Sequence, residues 1–477
     1  MTPTRTIART IASAALLCLV TGRETAAQGR SADEQRLGRE ILKELIETDT
    51  TLSAGNTTLA AERMAARLVA AGFPAADVVV VGGPAHRRNL VARWRGRTAG
   101  RRPVLFLAHL DVVEARREDW SMDPFVLTER DGWFYGRGTL DVKGGAATLV
   151  TVFCVLRQRG FAPERDLVLA LTADEEGGPD NGVQWLLANR RELIDAVYAV
   201  NLDSGGPELR GDKVAALDVQ AAEKVYASFT LTARNPGGHS SLPVAENAIY
   251  RLAAALQRLA PLVLPTRTNE VTRGYFASQA ARGGPEAGDF RAVSVLPADE
   301  DAARRLSAMS PFYNAMLRTT CVPTLLEGGH AENALPQTAR ATVNCRLLPD
   351  EKPADVQQAL ARAIADPQIE IAPRGTPTPS PPSPLVPEVR LAIEAATKAT
   401  WGAVPIVPMM ETGATDGLFL RNAGMPVYGM TGIAYDTDDV RAHGKDERIL
   451  VRSYYEGITF VERLIETLAG AAPATSR

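Results

Sequence analysis

Short apolar runs alternate with amphipathic segments along the first 200 residues. The apolar runs predict strands over 78–81, 89–94, 104–108, 167–172 and 196–201. Apolar residues at helical spacing predict helices over 36–45, 59–71, 145–160 and 183–188. Asn56 is a suitable cap for the second of these helices. Strands that alternate with helices favour a largely parallel sheet with helices on both faces.

The pattern changes near Asp218. The next predicted elements are strand 225–233, helix 247–259, strands 322–326 and 341–347, helix 353–364 and strand 369–371. This β-α-β-β-α-β order is typical of a compact two-layer unit. Residues 266–318 are interpreted as a long insertion in that unit, because they interrupt its order of elements.

A proline-rich segment separates this unit from the last part of the chain. Seven of the fifteen residues in 373–387 are proline, which favours an extended connector. The α/β pattern then resumes with helices 389–400 and 452–468 and strand 426–428. We therefore predict an α/β catalytic domain with a mostly parallel central sheet, formed by 28–218 and 373–477. An inserted α+β two-layer lid, residues 219–372, interrupts it.

The first 27 residues resemble a targeting segment rather than part of the fold. Arg5 and Arg9 precede a ten-residue apolar run, and small residues follow at 25–27. This order is typical of a secretory signal, and the run is too short to span a bilayer as a helix. Cleavage and export are favoured over an uncleaved anchor. The mature protein is then expected to be periplasmic or secreted, without stable insertion in a membrane.

Composition narrows the classes of function. The chain has 477 residues with 53 Lys and Arg against 56 Asp and Glu, and this balance argues against a nucleic-acid-binding protein. The four cysteines form no C-x-x-C pair, so a cysteine-bound zinc site is not expected. Cys321 and Cys345 are the better candidates for a disulfide, although the sequence leaves the pairing open. Only five histidines are available for chemistry.

Acidic residues and a histidine follow several predicted strands. His109 and Asp111 come at the end of the strand at 104–108, Glu175 and Glu176 after 167–172, and Asp203 after 196–201. Ligands bind outside the carboxyl ends of strands in open parallel sheets. Each residue alone has a simpler interpretation as a structural histidine, a turn or cap residue, or part of a solvated acidic loop. Their convergence at one edge favours a functional site.

Two further residues complete the candidate ligands. Asp141 lies in the glycine-rich segment 136–145, which matches neither a phosphate-binding loop nor a dinucleotide fingerprint. His443 lies in a polar loop near the end of the chain. Two histidines and three carboxylates can form two nitrogen and oxygen sites that share one carboxylate. Such ligands suit two zinc ions, with cobalt or manganese as alternatives. Ser240 and Ser241 lack the elbow motif of serine hydrolases.

Three motifs together resemble the M20 metallopeptidase family: HLDVV at 109–113, GRGTLDVKG at 136–144 and TADEEGG at 172–178. The fullest likeness is to its carboxypeptidase S and N-acyl-amino-acid hydrolase branch. The resemblance implies a zinc-peptidase-like catalytic domain with a lid that serves in dimerisation. It further implies these roles: His109 and Asp203 bind one zinc, Glu176 and His443 bind the other, Asp141 bridges both, Glu175 is the general base, and Asp111 orients His109.

The resemblance extends to the lid. The segment NPGGHSS at 235–241 resembles the motif whose histidine, here His239, reaches the active site of the neighbouring subunit in dimeric members. Asn333 and Arg346 match lid positions that contact substrate. The simpler interpretations are a turn residue for His239 and a solvated strand residue for Arg346. Asp416 is expected to cap a helix near the site.

The implied activity is cleavage of the amide bond of small peptides or N-acyl amino acids with a free carboxylate. The resemblance implies a metal-bound hydroxide as nucleophile, with Glu175 as general base. A homodimer formed through the lid is expected. A dipeptidase or aminoacylase with a different substrate is the alternative. A catalytically silent metal-binding module is a further alternative, although binding alone requires no base.

Overall fold

The protein is described by a computed structural model over residues 30–53, 55–437 and 439–470. The segment predicted as a signal, 1–27, lies outside these residues. The strands are β1 (Val78–Gly82), β2 (Arg88–Trp94), β3 (Val104–His109), β4 (Thr128–Arg130), β5 (Trp133–Tyr135), β6 (Leu167–Thr172), β7 (Tyr198–Asn201), β8 (Gly206–Arg210), β9 (Lys213–Glu223), β10 (Val225–Arg234), β11 (Gly238–His239), β12 (Thr320–Gly328), β13 (Ala334–Leu335), β14 (Thr338–Leu347), β15 (Ile369–Arg374), β16 (Ile406–Glu411), β17 (Val427–Gly429), β18 (Tyr435–Asp436) and β19 (Arg448–Leu450). The helices are α1 (Ala32–Ile46), α2 (Thr57–Ala70), α3 (Lys143–Gln158), α4 (Gly182–Asn189), α5 (Arg191–Ile194), α6 (Ala248–Leu259), α7 (Glu270–Arg282), α8 (Ala287–Val293), α9 (Glu300–Met309), α10 (Pro311–Leu317), α11 (Pro353–Ile364), α12 (Pro387–Trp401), α13 (Gly417–Asn422) and α14 (Val451–Leu468).

A ten-stranded sheet forms the centre of the molecule. Its order is β1-β2-β6-β3-β7-β17-β9-β8-β18, and β16 pairs with β9 outside this path. Strands β6, β3, β7 and β17 run parallel to their neighbours within this group. Every residue of β3, β6 and β7 is buried, as expected for the apolar central strands of a sheet covered on both faces. The predicted α/β fold with a mostly parallel central sheet is confirmed.

Alternate residues of the central strands pack into two different layers. In β3, Phe106 packs with α1, α2, α3, α12 and α14 on one face of the sheet. Leu105 and Leu107 point to the other face, where α4, α5 and α13 lie. The side chain of Asn56 caps α2 by accepting a hydrogen bond from the backbone N–H of Leu59 at 3.0 Å, as predicted. The helices therefore enclose the sheet and leave its carboxyl edge available for a site.

The lid contains a separate four-stranded antiparallel sheet of order β12-β14-β10-β15. Helices α6 and α11 pack against it through a second apolar core. The element order β10-α6-β12-β14-α11-β15 is the predicted β-α-β-β-α-β order. Cys321 and Cys345 face each other on β12 and β14 and form a disulfide, while Cys154 is free and buried. This settles the pairing that the sequence left open.

The insertion at 266–318 forms four helices, α7 to α10, which the sequence did not predict. Their apolar residues, among them Tyr275, Phe276 and Leu306, pack with Val407 and Met410 of β16 and with residues of β9. The insertion therefore lies on the edge of the central sheet, although it occurs within the lid in sequence. The lid boundary predicted at 218 falls inside β9, which continues to Glu223.

Candidate metal centre

The five predicted metal ligands lie together at the carboxyl edge of the central sheet. His109 is the last residue of β3, Glu176 follows β6, Asp203 follows β7, Asp141 precedes α3, and His443 lies in the loop before β19. Parallel strands present their carboxyl ends at the same edge, which explains why residues so distant in sequence meet.

His109 belongs to the more buried of two ligand clusters. Its Nε2 lies 3.1 Å from Asp141 Oδ1 and 3.4 Å from Asp203 Oδ1. The imidazole is 1% exposed. Its Nδ1 donates a hydrogen bond to the backbone carbonyl oxygen of Asp111 at 2.9 Å, which leaves Nε2 directed at the two carboxylates. A histidine held in this way presents one nitrogen to a metal ion.

His443 belongs to the second cluster. Its Nε2 lies 2.9 Å from Glu176 Oε1 and 3.0 Å from Asp141 Oδ2. The two oxygens of Asp141 thus face different histidines. In each cluster the three ligand atoms lie within 4.8 Å of one another. This nitrogen and oxygen donor set, with one shared carboxylate, fits two divalent ions of the zinc, cobalt or manganese type.

Asp111 contacts His109 differently from the expectation. Its carboxylate Oδ1 is 3.7 Å from His109 Nδ1, and the backbone carbonyl makes the shorter contact. The carboxylate instead accepts hydrogen bonds from the backbone N–H groups of Glu175, at 3.1 Å, and Glu176, at 3.0 Å. The buried side chain of Asp111 therefore holds the loop that presents Glu175 and Glu176.

Glu175 lies beside the ligand clusters without belonging to either. Its burial, together with the nearby negative charge of Asp203, raises the pKa of its carboxyl well above the ordinary value, against the opposing effect of His109. Burial likewise raises the pKa of Asp203 to about 7. Cations at the clusters would favour the ionised carboxylates, since a bound metal is the largest local charge in such a site.

The pKa values of the two histidines are also raised, which for an imidazole favours the charged form. Hydrogen bonds to Asp141 and Glu176 raise the pKa of His443 to about 10. Burial lowers the pKa of His109, but the charges of Asp203 and the hydrogen bond to Asp141 outweigh it, so that the pKa is raised well above its usual value. Without ions, protons on the imidazoles therefore neutralise part of the carboxylate charge.

Two buried aspartates, Asp174 and Asp416, make contacts that hold the acidic loop after β6. Asp174 is buried in a left-handed backbone conformation, and its Oδ1 lies 3.3 Å from Arg87 Nη1. Asp416 accepts hydrogen bonds from Thr172 Oγ1 at 2.8 Å and Asn181 Nδ2 at 2.6 Å. The side chain of Asp416 makes no capping hydrogen bond to α13, contrary to the expectation. It binds residues on either side of the acidic loop instead.

The clusters open into a cavity of about 1310 Å³. Asp141, Glu175, Glu176, Asp203 and His443 line one part of it, and Arg346 of the lid lines another. The guanidinium of Arg346 lies 4.6 Å from the ring centre of Tyr226. The insertion also contributes to the wall, through residues that include Tyr275, Phe312 and Tyr313. The sequence did not indicate these aromatic residues, because the insertion could not be placed.

His239 and Asn333 lie elsewhere in the lid. Both are exposed, and neither is among the described residues that line the cavity. They adjoin each other, since His239 on β11 pairs with β13 and the N–H of Ser240 donates to the carbonyl oxygen of Asn333 at 3.0 Å. His239 Nδ1 lies 2.7 Å from Ser241 Oγ. Of the three predicted lid residues, Arg346 alone reaches the cavity of its own chain.

Sequence reasoning gave no role to Arg137 and Glu447, which are buried beneath the ligand loops. They form an ion pair of 2.6 Å between Arg137 Nη1 and Glu447 Oε2. Arg137 lies in the glycine-rich segment 136–145, and Glu447 lies in the loop that carries His443. Apart from their ion pair, their hydrogen bonds run to backbone atoms, which have no sequence signature.

Comparisons with known proteins identify the family of this chain. Residues 105–467 match the model of Peptidase family M20/M25/M40. The chain is 31% identical over 383 residues to N-fatty-acyl-amino acid synthase/hydrolase PM20D1 of Xenopus tropicalis, covering 76% of this chain and 72% of that protein. It is 27% identical over 395 residues to probable carboxypeptidase S-like 2 of Dictyostelium discoideum, covering 79% and 74%.

Among solved structures, the M20 family metallo-carboxypeptidase Sso-CP2 from Sulfolobus solfataricus has the same fold. It superposes with a TM-score of 0.66 at 18% sequence identity, over 91% of this chain and 99% of that one. Together with the curated relatives, it supports a metallopeptidase or amidohydrolase of the carboxypeptidase and N-acyl-amino-acid hydrolase branch. With the family model matching most of its length, the chain belongs to peptidase family M20/M25/M40.

Proposed function

We propose that this protein hydrolyses the amide bond of N-acyl amino acids or small peptides that carry a free carboxylate. The observation that carries this proposal is the shared position of Asp141 between two ligand clusters, with Glu175 beside them. All of these groups except the buried His109 line one cavity that Arg346 also reaches. The candidate ligands, the candidate base and the guanidinium that could bind the substrate carboxylate thus face the same cavity.

The side chains of the two clusters would hold two divalent ions, for which zinc is the expected metal and cobalt or manganese the alternatives. Paired ions of this kind lower the pKa of water and polarise a carbonyl group. The residues of the chain then provide position and proton transfer. Asp111 fixes the loop that presents Glu175 and Glu176, and the Asp111 carbonyl fixes the orientation of His109.

Glu175 is the proposed general base. It is half-buried at the edge of the clusters and is not needed as a ligand of either. Glu175 would remove a proton from the attacking water and return it to the leaving amine. Burial raises the pKa of its carboxyl, which makes Glu175 a better proton acceptor in the first step than an ordinary glutamate. A silent metal-binding module would not require this group.

Arg346 is proposed to bind the free carboxylate of the substrate. Its planar guanidinium can donate two parallel hydrogen bonds to a carboxylate. The side chain is half-buried on β14, lies over the ring of Tyr226 and lines the cavity, which supports a role in binding rather than on a solvated face.

The proposed assembly is a homodimer formed through the lid. Strand β12 is at the edge of the lid sheet, and its residues Val322, Leu325 and Leu326 are more than half exposed. Tyr250 on the neighbouring helix α6 is 69% exposed. An apolar edge strand is a site for pairing with another chain. In such a dimer, the exposed His239 and Asn333 would be available to the partner's cavity, where His239 would stabilise the carbonyl oxygen.

The name N-fatty-acyl-amino acid synthase/hydrolase, which several curated relatives share, favours N-acyl amino acids over dipeptides as substrates. The aromatic residues Tyr275, Phe312 and Tyr313 in the cavity wall fit an apolar acyl group. The alternative, a dipeptidase or aminoacylase of different preference, uses the same ligands and base.

We propose export, with cleavage of the segment 1–27, to the periplasm or the exterior. The Cys321–Cys345 disulfide supports an oxidising compartment. No helix among the described residues has the length and hydropathy needed to cross a membrane. Amino-terminal sequencing of the protein from fractionated cells tests this proposal, and an uncut amino terminus in the cytoplasmic fraction would contradict it.

The decisive experiment is product analysis by mass spectrometry. Zinc-loaded mature protein is offered a mixture of N-acyl amino acids and dipeptides, with chelator-treated protein as the control. Metal-dependent release of free amino acids from the N-acyl compounds supports the proposal, and preferential cleavage of dipeptides supports the alternative. Absence of turnover in a sample that binds both ions would favour the silent module.

A further inference from the structure

Two buried charged residues join the loop that carries Asp141 to the loop that carries His443. Arg137 lies four residues before Asp141, and Glu447 lies four residues after His443. The side chains are 3% and 0% exposed, and they form the ion pair of 2.6 Å. Neither is a candidate ligand in the clusters found among the described residues. Their contacts can therefore act on the ligands only by fixing the conformation of the loops that carry them.

Glu447 binds the backbone of the Asp141 loop. Its Oε1 accepts hydrogen bonds from the N–H groups of Leu140, at 2.8 Å, and Asp141, at 3.0 Å. Its Oε2 accepts from the N–H of Gly138 at 3.1 Å. Three amides and one guanidinium thus converge on a single carboxylate. Because one of these amides belongs to Asp141 itself, the carboxylate fixes the position from which the bridging ligand extends.

Arg137 binds the backbone of the His443 loop in return. Its Nη2 lies 3.3 Å from the carbonyl oxygens of both His443 and Gly444 and donates to them. The guanidinium also lies 5.1 Å from the ring centre of Trp120, which restricts its plane. Each loop thus provides a charged side chain that binds the backbone of the other loop, at the ligand residue itself.

General physical chemistry argues against a role in stability alone. A buried ion pair is weak evidence for stability, because desolvation of the two charges offsets their attraction. Buried polar groups with their partners in place do, however, specify one arrangement of the chain around them, and both oxygens of Glu447 are bonded in this way. Replacement of a group that orients a metal ligand by a hydrogen bond commonly lowers metal affinity by about 10- to 100-fold.

We propose that Arg137 and Glu447 are positioning residues that set the distance between Asp141 and His443 and thereby the affinity of the metal position formed by Asp141, Glu176 and His443. This inference rests on the proposed two-ion site. The position formed by His109, Asp141 and Asp203 depends on the pair only through Asp141. The two positions should therefore respond unequally when the pair is broken.

The test is a stepwise Co²⁺ titration of metal-free protein, followed by visible absorption and by calorimetry, for wild type and Glu447→Gln. Glutamine keeps the volume but directs an NH₂ group at amide N–H donors. We expect two equivalents in wild type and a loss of about 10- to 100-fold in affinity for one of them in the variant, with a changed absorption band for that equivalent. Arg137→Lys, which cannot bind both carbonyls and Glu447, should show the same pattern.

The matched control is Glu462→Gln. Glu462 on α14 is also a buried glutamate with two ion pairs, to Arg30 and to Arg159. Arg159 follows the carboxyl end of α3, the end opposite to Asp141. Replacement of Glu462 should lower the melting temperature and leave both Co²⁺ affinities unchanged. If Glu447→Gln and Arg137→Lys behave like this control, the positioning role is wrong. If Glu447→Gln does not fold, the Arg137→Lys titration alone decides in the same way. Fewer than two equivalents in wild type would instead contradict the proposed function.

Discussion

At the scale of single residues, Glu175 is the side chain on which the proposed chemistry depends most directly. Replacing it by glutamine keeps its size and removes its ability to take a proton. We expect Glu175→Gln to lower kcat by about 10²- to 10⁴-fold, the usual contribution of a general base. Metal content should stay at the wild-type value, because Glu175 belongs to neither ligand cluster. Steady-state kinetics and elemental analysis on one preparation check both expectations.

The buried Glu462 serves as the control, since it pairs with Arg159 at the end of α3 opposite to Asp141, and Glu462→Gln should retain turnover. A Glu175→Gln protein that remains active with its ions in place would show that another group accepts the proton.

Asp218 gives a second residue-scale prediction, about stability and pH. It is 7% exposed, and burial, together with the charge of Glu208, raises the pKa of its carboxyl to about 7. Between its unfolded value near 3.8 and about 7, the unfolded chain loses the proton while the folded chain keeps it. The free energy of unfolding therefore falls as pH rises through this window. Asp218→Asn should remove that loss and leave the bond from Tyr435, which an amide oxygen can accept.

The expected gain in unfolding free energy for Asp218→Asn is near zero at pH 4 and on the order of a few kcal/mol at pH 8. Urea unfolding at the two pH values measures it. Asp289 provides a control of opposite sign, because the hydrogen bond from Arg305 lowers the pKa of its carboxyl. For Asp289→Asn, the difference from wild type should become less favourable as pH rises to about 3.8 and should then change little between pH 4 and pH 8. A gain for Asp218→Asn that does not change with pH would contradict the prediction.

Four of the five candidate ligands could be predicted from the sequence, because each follows an apolar strand or lies in a glycine-rich turn. His109, Asp203 and Glu176 have that signal, and the structure brings them together. His443 lies in a polar loop and was indicated by the family resemblance. The geometric role of Asp111 could not be read in this way. Asp111 contacts His109 through its backbone carbonyl, and its carboxylate binds two backbone N–H groups. Backbone atoms are common to all residues, so the sequence does not indicate these contacts.

At the scale of elements, the disulfide joins the edge strand β12 to β14. Cys321 and Cys345 are directly opposite in register and 24 residues apart in sequence. A crosslink of this loop length stabilises the folded state by about 3 kcal/mol, chiefly by restricting the unfolded chain. We expect Cys321→Ser/Cys345→Ser to lower the unfolding free energy by about that amount and to leave metal content unchanged. Denaturant unfolding and elemental analysis check this.

Cys154→Ser is the comparison for that variant, because Cys154 is buried and free. Equal stability of the double variant and wild type under oxidising conditions would show that the crosslink does not act on the unfolded chain.

Elements with one clear apolar pattern could be predicted, and elements in which polar residues interrupt that pattern were missed. The run over 167–172 coincides with β6, and helix α11 has the predicted bounds. Strand β9 was missed because it buries Asp218 and Gln220, which interrupt the apolar pattern. Helix α7 was missed because its buried residues include Thr272 and its apolar residues form no single stripe along the sequence.

At the scale of the whole molecule, the position of His239 predicts that two chains cooperate. The residue is exposed and lies outside the cavity of its own chain. If His239 enters the cavity of the partner subunit, two variants that are each inactive alone should restore activity when they are combined. After unfolding and refolding together, Glu175→Gln and His239→Ala should recover about a quarter of wild-type activity, because half of the dimers are mixed and each has one complete site.

The matched control mixes Glu175→Gln with Glu176→Ala, whose defects lie within the same site of each chain. No mixed dimer then contains an intact site, so activity should stay at the level of the separate variants. Recovery in the control, or none in the first mixture although mixed dimers form, would contradict a role of His239 across the subunit interface.

The placement of the insertion has a mechanical consequence for the lid. Lys224, at the junction of β9 and β10, donates hydrogen bonds to the carbonyl oxygens of Ala315 and Arg318 at the end of the insertion. The helices before them pack on β9 and β16. The lid is thus attached to the central sheet by two linking segments of the chain and by the packed helices α7 to α10. A rotation of the lid must either carry these four helices along or separate their apolar residues from the sheet. Any rotation of the lid that admitted substrate would therefore be opposed by these helical contacts as well as by the torsions of the two linking segments.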